Sequence, residues 1–450
     1  MDNQRNLLLA VVLSGLLILG WDIGMRFFYP EAAITAEAAK PAATASAATA
    51  SGAGAGADAA AIGEGPARRR DLASALKTPG RIVIDTPRLA GSINPVGLRV
   101  DDIVLKDHRD SVAKSSGPVR LFAPEGTPGQ YFAEFGFVSG GKRLPSSLVW
   151  QADGTRLTPQ TPVTLSHTDA SGITYAVRFE VDADYMITAS RTVINGSAAA
   201  AIIQPFALIN RTSTTATVDE FLVHSGPLGV FGGTLWDADS YDDLAEVGRD
   251  TPTGAASWLG FTDRYWLSAL VPGQGKLAEA GFRSLGDKLF RTDLIYAPET
   301  VGAGASMTQS TRLFAGAKES DILEKYEAQG ITEFDKAISW GWFWLLEKPL
   351  LWLLLQLNQL VGNFGVAIIL LTVVVRGVMF PVAQKQFASM AAMKAVQPKM
   401  KALQERYKDD KQRLQQEMMK LYKDEKVNPL AGCLPLIIQI PIFFALYKVL

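Results

Sequence analysis

The chain has 450 residues, with 44 Lys+Arg against 45 Asp+Glu and 48% apolar side chains. The charge balance excludes the basic footprint of a nucleic-acid binder, and the apolar content excludes a disordered acidic chain. One cysteine rules out an internal disulfide and a multi-cysteine zinc site, and three histidines (His108, His167 and His224) leave little material for a histidine-rich metal centre.

Near the N-terminus, Leu7–Leu19 is apolar apart from Ser14 and Gly15, and Trp21 and Phe27–Tyr29 follow before Pro30. A secretory signal would exit through small residues. The bulky exit predicts an uncleaved transmembrane anchor over residues 1–30, its aromatic side chains at the far interface. Residues 31–77 come next, with 18 alanines among the 37 residues Glu31–Ala67. Nothing there offers an apolar face to bury, which predicts a flexible tether.

Residues 78–318 carry short alternating segments punctuated by Gly, Pro, Asn and Asp. "RIVID" (81–85), "LRVDDIVL" (98–105), "ITYAVRFEV" (173–181), "YMITASRTVI" (185–194) and "AIIQPFALI" (201–209) read as strands of a β-sandwich. "GPLGVFGG" (226–233) lacks the Lys-Ser/Thr of a P-loop and reads as a bend between strands. The pairs Asp101-Asp102 and Asp242-Asp243 read as solvated turns or strand edges, and the histidines as surface or strand residues.

Residues 319–359 turn helical. Ser320 is placed to cap a helix over Asp321–Gln329. Trp340–Pro381, 42 residues, would reach ~60 Å as one helix, twice a hydrocarbon core of ~30 Å. Glu347, Lys348 and Pro349 are expected to break it, and Trp340, Trp342, Trp344 and Trp352 mark the first half as interfacial and amphipathic. The span proper is expected over about Leu360–Phe380, in a segment 360–381.

Residues 382–428 are polar. Lys385–Lys426 carries 11 Lys+Arg and 6 Asp+Glu, a net of +5, which places it in the cytoplasm. The N-terminus is then inside and the sandwich outside. Met400, Leu403 and Tyr407, then Leu414, Met418, Leu421 and Tyr422, recur at helical spacing on either side of Asp409-Asp410. They predict an antiparallel helical hairpin, with Pro398 in its first turn and an adaptable methionine-rich surface. Residues 429–450 begin a further apolar helix, with Pro435, Gln439 and Pro441 weakening its backbone pairing. It ends with no polar flank, so the protein is expected to continue. "LAGC" (430–433) matches a lipoprotein box by coincidence, far from any N-terminal signal.

Arg376 is the residue that stands out for chemistry. It interrupts "VAIILLTVVVRGVMF", otherwise free of charge, at a cost of roughly 2.5–3.5 kcal/mol near a helix centre. Thr372 lies one turn earlier on the same face. The pair reads as a polar stripe facing a wet intramembrane cavity; the alternative is an arginine that snorkels to the headgroups.

"MDNQRNLL", "VVVRGVMFPVAQKQ", "MKAVQPKM" and "DDKQRLQQEMMKLYKDEKVNPLAGCLPLIIQIPIFFALY" together resemble a bacterial YidC-type membrane protein insertase. The likeness is dense from about Asn363 to Tyr447, and in the sandwich it is best at "WLGFTDRYWLSALVP" (258–272). It implies a multidomain membrane protein of the bacterial inner membrane: an N-terminal anchor, a periplasmic all-β supersandwich, then an α-helical insertase core. Of five core helices around a hydrophilic groove, this chain would hold the first two. The resemblance also implies that Arg376, Thr372 and Gln439 line the substrate groove, and that a cytoplasmic docking hairpin carries Met400, Lys411 and Met418. Implied partners are nascent membrane proteins, the Sec translocon, ribosomes, the signal recognition machinery and the lipid bilayer. No cofactor, metal or covalent catalysis is implied. Two rivals stand beside it: a membrane-tethered periplasmic sugar-binding protein or epimerase, which needs a positioned acid/base pair, and an anion transporter using Arg376.

Overall fold

The computed structural model describes residues 69–449 other than 112, 114, 218–223, 238–239, 341–342, 409 and 426–433. The anchor over residues 1–30, the tether as far as residue 68 and the "LAGC" box lie outside the described residues. The last part of the predicted tether is ordered against the sandwich. Asp71 caps the short helix α1 (Leu72–Ala75), Ala75 is buried, and Arg70 N–H donates to Gly126 O at 2.8 Å.

Ile173–Val181 alternates buried and open side chains and pairs antiparallel with Val163–Thr168 and with Met186–Asn195. Met186–Asn195 pairs in turn with Ser306–Ala317. Among the described residues these strands belong to a nine-stranded sheet, which faces a twelve-stranded one. The larger sheet is centred on Ala201–Thr212, between Tyr131–Ser139 and Leu289–Tyr296. Period-two alternation sends Phe135 and Phe179 inward from opposite sheets, where they meet edge to face at 5.6 Å.

Two readings of this region are corrected by the fold. "GPLGVFGG" is not a bend: Gly226–Phe231 is a fully buried strand, turned at Gly232-Gly233 into Thr234–Asp237. Gly229 is required there because a Cβ would lie 2.8 Å from the Phe231 ring and 2.9 Å from Trp258 O. Asp101 and Asp102 are not solvated either. A β-bulge opposite Ser92 and Ile93 turns both to the outer face of the large sheet, where Arg81 and Arg120 bind them. Asp242 and Asp243 do occupy an open first turn, in helix α2 (Tyr241–Val247), capped by Ser240.

That outer face carries a ladder of paired charges. Arg99 bridges Glu125 at 2.6 Å and Glu134 at 3.1 Å, and Arg143 also binds Glu134. Arg291 meets Asp293 at 2.8 Å, Arg283 joins Asp293 to Glu279, and Arg249 reaches Glu279 at 2.8 Å. A small apolar cluster of Val138, Phe206, Leu208 and Ile295 lies on the same face.

The sandwich does not end at residue 318. Helix α3 (Ser320–Ala328) and the turn Phe334–Ala337 put Ile322, Leu323, Tyr326, Ile331, Phe334 and Ala337 into its main core. The cap of α3 is not Ser320, which lies inside the helix. Glu319 precedes it, its carboxylate accepting from Arg88 and from Tyr185 Oη, both at 2.7 Å.

Helix α4 (Trp344–Val361) runs through Glu347, Lys348 and Pro349, so the expected break is absent. It stops at Gly362, which is left-handed at φ 65°, and Asn363 caps the next helix by accepting from Val366 N–H. This Gly-Asn pair moves the start of the span to Phe364, where Leu360 was expected. Helix α5 (Phe364–Arg406) then continues for 43 residues, through Pro381 and Pro398. Pro381, where the segment bearing the span was expected to end, lies within a continuous helix, and Pro398 lies in its interior, not in a first turn. Each proline removes one backbone donor without ending the helix. Phe364–Gln384 of α5 is long and apolar enough to cross a membrane. Helices α6 (Lys411–Asp424) and α7 (Leu434–Val449) follow. Leu354 of α4 with Ala367 and Leu371 of α5 forms a separate core, against which Leu446 and Val449 of α7 pack.

Candidate substrate groove

The polar stripe starts from the packing of α5. Ala367, Leu371 and Val375 turn toward α4 and α7. At about 100° per residue, Thr372 and Arg376 fall beside that stripe and face away from it, and both are exposed. Thr372 Oγ1 donates to Ile368 O at 2.9 Å, one turn back, which satisfies its hydroxyl inside the helix. Arg376 has no hydrogen-bond or ion-pair partner among the described residues. It stands ~18 Å along the span from Phe364 and ~12 Å from its other end at Gln384.

Gln439 lies on α7, half-buried, in a helix that packs on both α4 and α5. Thr372 and Arg376 therefore share one helix face, and Gln439 belongs to the neighbouring helix. Gln439 lies two residues before Pro441, within the turn whose bond to the carbonyl of Ile437 the proline removes.

The hairpin forms between the second half of α5 and α6. Tyr422 Oη donates to Met400 Sδ at 3.7 Å, and Lys399 pairs with Glu425. Met400 and Met418 are half-buried, and Lys411 opens α6 behind its cap Asp410. The predicted pairing of the two helical stripes is present, but its first helix is an extension of the membrane span. The signals missed in sequence were local: Gly362-Asn363 is a helix stop followed by a helix start.

The histidines gather no catalytic set. His108 Nε2 comes within 3.6 Å of Glu319 Oε1, but that oxygen already accepts from Arg88 and Tyr185. His224 bonds Pro227 O at 3.0 Å, and His167 stacks edge-on with Trp150. Among the described residues no group of His, Cys, Asp and Glu is placed to hold a metal ion.

Residues 81–353 match the family described as the YidC periplasmic domain, and residues 356–450 match that of the 60Kd inner membrane protein. The chain belongs to the YidC family. Membrane protein insertase YidC of Beijerinckia indica is 40% identical over all of this chain and 77% of its own length. That of Nitrobacter hamburgensis is 41% identical over all of this chain and 76% of its own length. A crystal structure of an active YidC insertase with its first transmembrane domain resolved covers 83% of this chain and 72% of that one, at 17% identity and a TM-score of 0.31. As a YidC protein the chain is a membrane protein insertase of the inner membrane. The sheet-rich region is its periplasmic domain, and the helices that follow belong to its membrane part.

Proposed function

We propose that Arg376 supplies fixed positive charge to a wet groove through which polar flanks of nascent membrane proteins pass, while their apolar stretches slide into lipid. The observation that carries this is the position of Arg376, unpaired among the described residues and about 12 Å from the nearer end of the span. That is farther than one arginine side chain extends, so snorkelling alone leaves the guanidinium poorly hydrated. Thr372 on the same face and Gln439 on α7 extend the polar surface. The hairpin of α5 and α6 receives ribosomes, targeting factors or emerging substrate, and the Sec translocon is a partner for part of the substrate set. The topology that fits is multi-pass, with the N-terminus and the basic hairpin in the cytoplasm. No nucleotide motif is present in the sequence, so binding energy and membrane potential drive insertion; one charge moved through 100 mV changes energy by about 2.3 kcal/mol.

The chain acts without covalent catalysis in this reading. A sugar epimerase needs a free acid/base pair, whereas the carboxylates on the outer face of the large sheet are held by arginines and Glu319 is held by Arg88 and Tyr185.

The test is insertion of matched acidic-tail and neutral-tail substrates into vesicles by the full-length protein, with the level of each variant checked first. Arg376→Lys is expected to keep most activity. Arg376→Ala and Arg376→Glu are expected to lose it, most for the acidic tail, which gains most from a cation in a low-dielectric site. Full activity of a well-expressed Arg376→Ala variant on the acidic substrate overturns the groove-charge reading.

A further inference from the structure

The connector leaving the sandwich, the start of α4 and the end of α7 meet at one corner that the groove reading does not use. Lys448, one residue before the end of α7, donates from Nζ to the carbonyl oxygen of Ser339 and, at 3.4 Å, to Ser339 Oγ. Ser339 follows the turn whose Phe334 and Ala337 are anchored in the sandwich core. In the first turn of α4, Glu347 is 1% exposed, and its Oε2 has no hydrogen-bond partner among the described residues. Glu347 lies one turn beyond Phe343 and Lys448 one turn beyond Phe444, so the packing of these two rings brings the carboxylate and the ammonium to the same corner, with no direct ion pair between them. The same corner is packed by Phe343 and Phe444, stacked with ring centroids 6.3 Å apart and planes 13° from parallel.

A carboxylate this deeply buried stays ionised only beside a cation, and an ammonium at the end of an otherwise apolar helix needs a counter-charge for the same reason. We propose that Lys448 and Glu347 form a charge clip that seats α7 against α4 and against the Ser339 connector. Both are positioning residues, with no contact to substrate. The clip fixes the outer end of the helix that carries Gln439, so the seating of that helix is set from the side of the periplasmic domain. The consequence for insertion rests on the groove reading; the seating itself does not.

The experiment uses the full-length protein with Cys433→Ala and a cysteine pair at Phe343→Cys and Phe444→Cys, and reads both crosslink yield and substrate insertion at matched protein level. Lys448→Met is expected to lower the yield about three-fold or more. The double variant Glu347→Gln/Lys448→Met is expected to recover at least half of the loss, because it removes the stranded carboxylate as well. Lys448→Gln, which keeps a donor for Ser339 without the charge, is expected to behave like Lys448→Met, and it carries the test if Lys448→Met fails to accumulate. An unchanged yield in Lys448→Met, a wild-type yield in Lys448→Gln, or a loss that the double variant does not recover overturns the clip. A crosslink that follows the charge while Arg376→Ala inserts normally would leave the clip standing and remove only the groove reading.

Discussion

Arg211 donates from one Nη2 to both carboxylate oxygens of Asp263, at 2.7 and 2.6 Å, with side-chain exposures of 1% and 6%. The guanidinium lies between the rings of Tyr131 and Tyr241, 4.7 and 5.7 Å from their centroids. Thr217 N–H and Ser225 Oγ–H also donate to Asp263, at 3.1 and 3.3 Å. Removing one partner strands a buried charge. Asp263→Asn is expected to destabilise the sandwich by about 3–5 kcal/mol, and Arg211→Met/Asp263→Leu by clearly less. Urea unfolding of the periplasmic segment checks the order; equal losses would show that the pair contributes more than the burial of its charges.

The segment chosen for such measurements matters. Cutting at residue 318 removes Leu323, Tyr326 and Phe334, each no more than 1% exposed. Losing a buried aromatic side chain costs about 3–5 kcal/mol, against a whole-domain margin of about 5–15 kcal/mol. Residues 69–339 are therefore expected to unfold cooperatively on heating, and residues 69–318 to be largely unfolded at room temperature. Near-ultraviolet circular dichroism separates the two, and a native spectrum for the shorter segment would refute the extended domain.

Lys318 gives a pH signature. Its ammonium is drawn in beneath Thr262, donating to Oγ1 at 3.0 Å, and burial pushes its pKa down to about 8 from 10.5. A cation whose folded pKa lies below its unfolded value carries its burial cost in full below the folded pKa and sheds it as pH rises between the two. Lys318→Met is thus expected to be more stable than the parent at pH 7, by up to about 3 kcal/mol, with the advantage fading between pH 8 and 10.5. Denaturant midpoints across that range test it; an advantage that is constant with pH would assign the effect to packing alone.

The hairpin prediction concerns encounter. Photocrosslinkers at positions 411 and 418 are expected to capture ribosomal or targeting components in translating cells, with yields falling several-fold once translation is stopped. Equal yields in both states would make the hairpin a structural element only.

Much of the fold was legible. The run "ITYAVRFEV" alternates strictly, and its strand spans the same nine residues, Ile173–Val181. Alternation could not reveal the bulge at Asp101 and Asp102, because an extra residue in one strand depends on the partner strand's register. Nor could it show that α3 belongs to the sandwich: a nine-residue amphipathic helix reads the same whether it links domains or caps one. In the membrane part, proline is a weaker helix breaker than its local chemistry predicts. Pro349, Pro381 and Pro398 all lie inside helices; for Pro381, within the span, neighbouring helices and lipid favour an unbroken backbone over an open one. Arg376 and Thr372 stand out in the sequence because a charge in a 21-residue apolar span is costly to hold there. Glu347 and Lys448 do not, since each looks like an ordinary end-of-helix charge until their helices are brought together.

The uninterrupted course of α5 has a mechanical consequence. Its 43 residues measure ~65 Å, so with ~30 Å in the hydrocarbon about half its length projects beyond the membrane as a lever. A tilt of about 10° about the membrane surface would move the tip by roughly 6 Å. The same rotation turns the segment bearing Thr372 and Arg376 in the opposite sense. In the proposed function, a load on Met400 or its neighbours reaches the arginine along one continuous helix, with no loop between them to absorb it.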